Sequence, residues 1–309
     1  MSERAASQQE IYDIIVIGAG TAGLSAALYG ARAGKQVLVL EQKISGGQIV
    51  NSPEVENYPG IKQISGYEFV RELQEQAEKV GAHIVNETAE RLEKNENIWN
   101  VRTSGGQRQA RSVILATGVE HRKLGLPGEE ALTGNGVSYC AVCDGAFFRD
   151  KQVAVVGGGN TALEDAKFLS GYCKKVVLIH RRDRFRGESR LVDELVVRSN
   201  VEFVMESVVT SLQGGDRLES VLIKNVKTNV IDERRVSALF VAIGQNPKNE
   251  AFSEVVRLDE QGYVEADESC RTTAAGVFAA GDCRTKAVRQ LVTAAADGAV
   301  SALGACEYL

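Results

Sequence analysis

The chain lacks the basic excess that a nucleic-acid partner requires. Its 309 residues carry 36 Lys and Arg against 41 Asp and Glu, a formal charge of −5, whereas binding to phosphate backbones rests on clustered cations. A nucleic-acid role is excluded, and a small ligand or an ordinary protein partner is expected. Histidine is scarce too, with single residues at 83, 121 and 180. Of the six cysteines, at 140, 143, 173, 270, 283 and 306, only the first two are closely spaced. A cysteine-built zinc site needs a second such pair, so no metal site is expected. No secretory signal is read either, because Met1 to Asp13 is polar and carries acids. This cysteine usage fits cytoplasmic thiols with one reactive couple rather than a disulfide framework.

Long apolar runs are also few. The uncharged stretch Ile14 to Ala31 is long enough to pass for a membrane span, yet it holds four glycines together with Thr21 and Ser25. It reads instead as a branched-aliphatic strand, a glycine turn and an alanine-rich helix, which is a buried βα unit. No membrane role is expected. The 44% apolar and 25% charged content is globular, and the length suggests about two domains.

What the chain does have is two dinucleotide-binding units. The first predicts a strand over 12–17, the turn Gly18-Ala19-Gly20-Thr21-Ala22-Gly23, a helix to about Ala33 and a strand over 36–41 ending in Glu41. The glycines permit a tight turn, close approach of a pyrophosphate to backbone, and close packing of helix on strand. The helix N-terminus offers free N–H groups to phosphate. Glu41, 23 residues past Gly18, can accept hydrogen bonds from a ribose diol.

The second unit repeats this grammar with a strand over 152–156, Gly157-Gly158-Gly159-Asn160-Thr161-Ala162, a helix to about Leu169 and a strand over 175–180. Here His180 occupies the slot of Glu41, followed by Arg181, Arg182 and Arg186. A carboxylate there would repel a 2′-phosphate, whereas guanidinium groups pair with it. The second site is therefore assigned to NADPH and the first to FAD. Arg184 and Arg190 are read as solvated surface. Near the C-terminus, a strand over 276–280 ends in Gly281-Asp282, with Arg289-Gln290 ahead of an alanine-rich helix. Such an acid can hydrogen-bond the sugar-alcohol chain of a flavin; a turn with Asp as helix cap is the plain alternative.

Tyr139-Cys140-Ala141-Val142-Cys143-Asp144-Gly145 holds the only C-x-x-C. That spacing lets the sulfurs close a small reducible ring. Asp144 can move the proton that thiol exchange requires, or else serve as a helix cap or turn residue. The remaining four cysteines are read as packed thiols.

In this order and spacing the motifs resemble the bacterial low-molecular-weight thioredoxin reductases over nearly the whole chain. The resemblance extends to Gly46-Gly47-Gln48, Glu54 to Gly60, Ala116-Thr117-Gly118 and Phe240 to Gly244. It implies an α/β fold of two Rossmann-like, three-layer ββα domains, the NADPH domain (118–244, with the redox pair) inserted in a discontinuous FAD domain (1–117 and 245–309). It also implies a homodimer. Carried over by position, the FAD contacts are Gly18, Gly20, Thr21, Ala22, Gly23, Glu41, Gln42, Gly47, Gln48 and Asn57. They continue through Ala116, Thr117, Gly118, Gly281, Asp282, Arg289, Gln290 and Leu291. The NADPH contacts are Gly157, Gly159, Asn160, Thr161, Ala162, His180, Arg181, Arg182 and Arg186. Cys143 would face the flavin, Cys140 would attack a thioredoxin or thioredoxin-like disulfide, and Asp144 would donate the proton. Val142 stands where threonine is common in the family.

Cys143 precedes the second glycine turn by only fourteen residues, so the disulfide and the nicotinamide share a domain while the flavin belongs to the other. Rotation of the NADPH domain about 116–118 and 242–244 is predicted. The residues alone leave the acceptor open between thioredoxin, a peroxiredoxin-type protein and a small disulfide.

Overall fold

A computed structural model of the chain describes residues 10–52 and 54–309; the polar N-terminal segment lies, up to residue 9, outside them. The first stretch of chain forms β1 (Ile11–Ile17), α1 (Thr21–Arg32), β2 (Val37–Glu41), α2 (Gly66–Lys79), β3 (His83–Asn86), β4 (Ala89–Asn95), β5 (Ile98–Thr103) and β6 (Gly106–Leu115). The middle stretch forms β7 (Glu120–His121), α3 (Glu129–Leu132), β8 (Val137–Ser138), α4 (Ala141–Asp144), β9 (Gln152–Gly157), α5 (Asn160–Ser170), β10 (Lys175–Ile179) and α6 (Ser189–Val196). It continues with β11 (Val201–Val204), β12 (Ser207–Gly214), β13 (Leu218–Asn225), β14 (Ile231–Arg235), β15 (Ala238–Ala242) and β16 (Gln245–Asn246). The chain ends with β17 (Val277–Ala279) and α7 (Leu291–Tyr308).

These elements divide into two compact units. One runs up to Glu120 and resumes over Asn246–Leu309; the other is His121–Gln245. The passages from one to the other fall at β7 and β16, a few residues beyond the 116–118 and 242–244 segments. Thr117 stays with the first unit, where its Oγ1 donates to Asn249 Oδ1 at 2.7 Å, and the Val119 carbonyl accepts from Gln48 Nε2.

In the first unit the sheet runs β3-β2-β1-β6-β5-β4, with β17 also on β6. Strand β6 serves two partners in turn: residues 106–110 pair antiparallel with β5, and 113–115 pair parallel with β17. Ile14 to Ile17 are almost wholly buried because helices cover one face of β1 and the β4–β5 meander covers the other, as a continuous aliphatic run requires. Two cores result, one under α1, α2 and α7 and one under the meander around Trp99 and Phe252. Helix α7 fits closely on α1: a Cβ at Gly298 would lie 2.2 Å from the Ala22 carbonyl oxygen, and Ser25 Oγ donates to the Ala295 carbonyl at 2.7 Å.

The second unit repeats the plan. Its parallel sheet runs β11-β10-β9-β15-β8, beside an antiparallel meander β12-β13-β14. One core packs α5 and α6 on the sheet and the other packs the meander on its opposite face. Both units are thus three-layer ββα, the fold class that the motifs imply. The stretch Ile14 to Ala31 divides into β1, the turn and α1, and among the described residues no helix is long and apolar enough to cross a membrane.

Candidate active site

The redox pair is joined: a disulfide links Cys140 and Cys143 at the start of α4. The turn is fixed by backbone. Cys143 N–H points at Cys140 Sγ (3.2 Å) and Asp144 N–H donates to the Cys140 carbonyl (3.1 Å). Ala141, fully buried, anchors it in the helix-side core. A Cβ at Gly145 would fall 2.1 Å from the Tyr172 hydroxyl and 2.8 Å from Leu169 Cδ2, so glycine lets the residue after Asp144 pack by the end of α5 without displacing those side chains. Cys140 is half-buried and Cys143 exposed.

The Asp144 carboxyl does not cap a helix. It precedes the 3-10 turn Gly145–Phe148 without bonding to it, and instead accepts from Ser138 Oγ at 2.6 Å. Burial pushes its pKa above the ordinary aspartate value, and the Ser138 hydrogen bond opposes that rise. A half-buried carboxyl in direct sequence with the disulfide, its neutral form favoured by burial, is a group that can hold and release a proton.

Behind this pair the same unit presents the glycine turn of β9 and α5. A Cβ at Gly157 would approach the Ala242 carbonyl oxygen to 2.3 Å, while Gly159 faces open space, as phosphate binding to backbone N–H groups demands. Asn160 Nδ2 donates to Glu188 Oε1 and its Oδ1 accepts from Glu188 N–H. The Gly158 carbonyl accepts from Arg186 N–H at 2.7 Å. Residues 181–188 are thereby folded onto the turn, with Thr161 exposed and Ala162 buried at the first turn of α5. Arg181, Arg182 and Arg186 are all exposed around it.

His180 plays a different part from its arginine neighbours. Its ring is buried against Gly158 and stacks on Phe185 at 5.2 Å, with Nε2 on the Arg184 carbonyl at 3.0 Å. Burial lowers its pKa, so it shapes the loop as a neutral ring while the guanidinium groups carry the charge. Arg190 lies 3.8 Å from Glu194 on α6.

The first unit carries the matching turn. Gly18 has φ of +105°, and a Cβ there would lie 2.4 Å from the Ala116 carbonyl oxygen; one at Gly23 would lie 1.8 Å from Gly18 O. Glu41 folds over the turn, accepting from Ala19 N–H (2.7 Å) and Lys43 N–H (2.9 Å), and the exposed Gln42 follows it. Gly46 N–H donates to the Ala19 carbonyl at 2.7 Å, which brings Gly47 and Gln48 beside Gly20. Asn57 reaches Gln290 at 3.4 Å. Thr21 and Ala22 are buried in the first turn of α1, and a Cβ at Gly281 would lie 2.8 Å from that of Ala22. Gly118, at φ +64°, follows Thr117, and Leu291 opens α7 half-buried. The predicted residues of this unit therefore converge from distant parts of the sequence.

Asp282 tests the fit to a flavin. Among the described residues its Oδ1 is buried with no hydrogen-bond partner, and burial raises its pKa. A buried acceptor left unpaired is costly, and a hydroxyl of a flavin's sugar-alcohol chain would be a fitting donor for it. Arg289 holds the turn by donating to the Asp282 carbonyl (3.3 Å) from above the Tyr263 ring (4.0 Å). Sequence reasoning missed the group beneath. Asp297 on α7 takes Arg284 in two hydrogen bonds, Lys286 at 2.8 Å and Gly281 N–H at 2.9 Å. The available signal was a lone charge inside the otherwise uncharged run Leu291 to Leu303. The other cysteines are packed: burial pushes the Cys173 thiol up to about 11 and that of Cys270 up to about 12.

Two dinucleotide turns and a disulfide on one chain define a nucleotide-dependent disulfide oxidoreductase. The family model for pyridine nucleotide-disulphide oxidoreductases matches residues 12–298, and the chain belongs to that family. Its relatives are more particular. The thioredoxin reductase of Listeria innocua is 41% identical over 98% of this chain and 96% of its own. A crystal structure of thioredoxin reductase from Streptococcus pyogenes matches with TM-score 0.93 and 41% identity over 96% of this chain and 98% of that one. Thioredoxin reductase of Lactococcus lactis, in its FR conformation, matches with TM-score 0.66 and 38% identity over the same shares.

Proposed function

We infer that this protein is a thioredoxin-disulfide reductase, carrying electrons from NADPH through FAD to the Cys140–Cys143 disulfide and on to thioredoxin. The observation that carries the reading is the disulfide itself, closed at the head of α4 with a half-buried carboxyl next in sequence. FAD, when bound, would supply the two-electron redox chemistry that links NADPH to a disulfide. The chain's residues do the rest. The Gly18 to Gly23 turn, Glu41, Gln48, Asn57 and the Asp282–Gln290 segment hold FAD; the Gly157 to Ala162 turn binds the pyrophosphate of NADPH, and Arg181, Arg182 and Arg186 hold its 2′-phosphate.

In the exchange the Cys140 thiolate attacks the thioredoxin disulfide, forming a mixed disulfide and expelling one thioredoxin thiolate. Cys143 then attacks Cys140 Sγ, re-forming the Cys140–Cys143 bond and releasing the second thiolate. The two protons of the enzyme dithiol end on the two thioredoxin sulfurs, and Asp144 transfers one of them.

The flavin residues belong to one unit and the disulfide and NADPH residues to the other, as the 1–117/245–309 and 118–244 division implies. The same disulfide must meet the flavin and a protein outside, so the NADPH unit rotates between half-reactions. The enzyme works as a homodimer in the cytoplasm. Exposed Val292, Val300 and Leu303 on α7 supply an apolar face for the first statement, and four unpaired cysteines suit a reducing compartment for the second.

The test is NADPH oxidation by the flavoprotein with thioredoxin from the same source. Turnover that disappears in Cys140→Ser and in Cys143→Ser is the expected result. Thioredoxin-dependent turnover surviving either substitution would overturn the reading.

A further inference from the structure

We propose that Ser138 is the positioning residue that holds the Asp144 carboxyl beside the disulfide in both of its protonation states, and so sets the pH at which that carboxyl exchanges its proton. The inference rests on the reading of Asp144 as the proton-transfer group. Ser138 is the last residue of β8, where pairing with Phe240 of β15 fixes its backbone, and it is 5% exposed. Its Oγ has three polar neighbours: it receives Cys140 N–H at 3.1 Å, stands 2.6 Å from Asp144 Oδ2, and stands 3.3 Å from the Cys140 carbonyl oxygen.

A hydroxyl has one proton and two lone pairs. Cys140 N–H takes one lone pair. When Asp144 is ionised, the hydroxyl proton goes to Oδ2, and 2.6 Å is the short separation of a hydroxyl on a carboxylate. When Asp144 is protonated, its O–H donates to the second lone pair and the serine proton turns to the Cys140 carbonyl. Every group stays paired in both states with no heavy atom displaced, so loading and unloading a proton costs no hydrogen bond. Because the same hydroxyl holds the Cys140 N–H, the acid is tied to the residue whose sulfur carries the exchange.

Nothing else polar competes for this role among the described residues. Burial and Ser138 are the two influences resolved on Asp144. On the α5 side, Tyr172 has its hydroxyl against Gly145 with Arg149 over its ring at 5.5 Å, and Asp165 acts on Tyr172. Neither bonds to Asp144. Without the serine hydroxyl, burial alone governs the carboxyl and the neutral form gains.

The experiment uses the full flavoprotein as wild type, Ser138→Ala, Ser138→Val and Ser138→Thr. The titration midpoint of Asp144 is followed by carbon NMR of protein labelled at aspartate carboxyls, the resonance being assigned by its loss in Asp144→Asn. The pH profile for single-turnover reduction of oxidised thioredoxin is recorded in parallel. Losing a hydrogen bond to a charged group raises the midpoint by about one pH unit in Ala and Val, and the limb of the profile governed by Asp144 moves with it. Thr, which matches Val in shape and keeps the hydroxyl, retains the wild-type midpoint. An unchanged midpoint in Ala and Val, or a Thr midpoint displaced as far as that of Val, overturns the proposal. Full turnover in Asp144→Asn together with a displaced midpoint in Ser138→Ala would remove the proton-transfer reading and leave the serine bridge standing.

Discussion

Arg284 and Asp297 meet as a two-pronged ion pair, Nε to Oδ2 at 2.8 Å and Nη2 to Oδ1 at 2.9 Å, with side chains 5% and 10% exposed. The same carboxylate holds Lys286 and the Gly281 N–H, so one acid on α7 fixes the whole turn that presents Asp282. Replacing it leaves two buried cations without their counter-charge. Asp297→Ala is expected to cost about 3–5 kcal/mol of stability and to release FAD, read by thermal unfolding and by flavin retained on gel filtration. The pH dependence has a definite sign. Burial opposes ionisation of Asp297, but the bonds from Arg284 and Lys286 outweigh it and hold the pKa below 3.8. The stabilisation is therefore complete above pH 3.8 and disappears as the pH falls through the depressed value. Wild-type stability and flavin content in the Ala variant would show the cluster to be dispensable.

Asp165 on α5 has the opposite sign. Burial, aided by neighbouring Glu164, raises its pKa to about 7. A carboxyl raised in the folded state contributes stability fully below its unfolded pKa, and that contribution disappears as pH rises through the folded value. Between about pH 4 and 8 the melting temperature of the wild type should fall more than that of Asp165→Asn, which has no charge to bury. Parallel curves would mean that Asp165 ionises freely in the fold.

In the proposed function the exposed arginines beside the second glycine turn set the choice of nicotinamide. Each charged hydrogen bond to a 2′-phosphate is worth about 1.5–3 kcal/mol. Arg181→Ala with Arg182→Ala should therefore lower kcat/KM for NADPH by about 10- to 100-fold for each such bond removed, and leave that for NADH nearly unchanged. Arg190, beside Glu194 on α6, is the control and should change neither. A preference for NADPH unaltered by the double substitution would place the 2′-phosphate elsewhere.

Much of this was legible in the sequence because the motifs are local. Strand, glycine turn and helix follow one another within about thirty residues; the end of α1 and the bounds of β10 fall within a residue of expectation, while α1 starts at Thr21, inside the expected turn. Cys140 and Cys143 needed only their spacing. What could not be read was the pairing of distant segments. Ser138 looks like any serine before a C-x-x-C until β8 is paired with β15. Asn249, the partner of Thr117, is 132 residues away from it. Arg284, Lys286 and Asp297 resemble surface charges until α7 turns Asp297 inward onto Gly281. His180 is the complementary case: its position follows from the repeat, but that its ring lies under Gly158 is not legible in the sequence, because a strand end that must support a glycine turn offers a buried slot as readily as an exposed one.

The proposed rotation of the NADPH unit has a consequence for half-reactions. A covalent tie between the two units that preserves one orientation should stop either flavin reduction by NADPH or reduction of thioredoxin, and spare the other. Stopped-flow bleaching of the flavin reports the first, and single-turnover exchange reports the second. Undiminished steady-state turnover with the tie intact would make the rotation unnecessary.

Asp144→Asn isolates the proton from the geometry. Asparagine keeps the size of the side chain, and its amide oxygen can still accept from Ser138 Oγ, so α4 and the closed disulfide should remain as they are. What is lost is a group that can give up a proton and take it back. Because α4 lies outside the unit that carries Glu41, Gln48 and Asp282, flavin content and flavin absorbance should match the wild type. Thiol exchange then proceeds without a positioned acid, and a general acid or base contributes about 10²- to 10⁴-fold; steady-state reduction of thioredoxin should fall by about that much. The deficit should be greatest where the departing sulfur is poorest, so a small aromatic disulfide with a low-pKa thiol would be reduced at a rate closer to wild type than thioredoxin is. Equal losses with both acceptors would assign Asp144 a structural part in the turn, and equal activity with thioredoxin would remove it from the reaction.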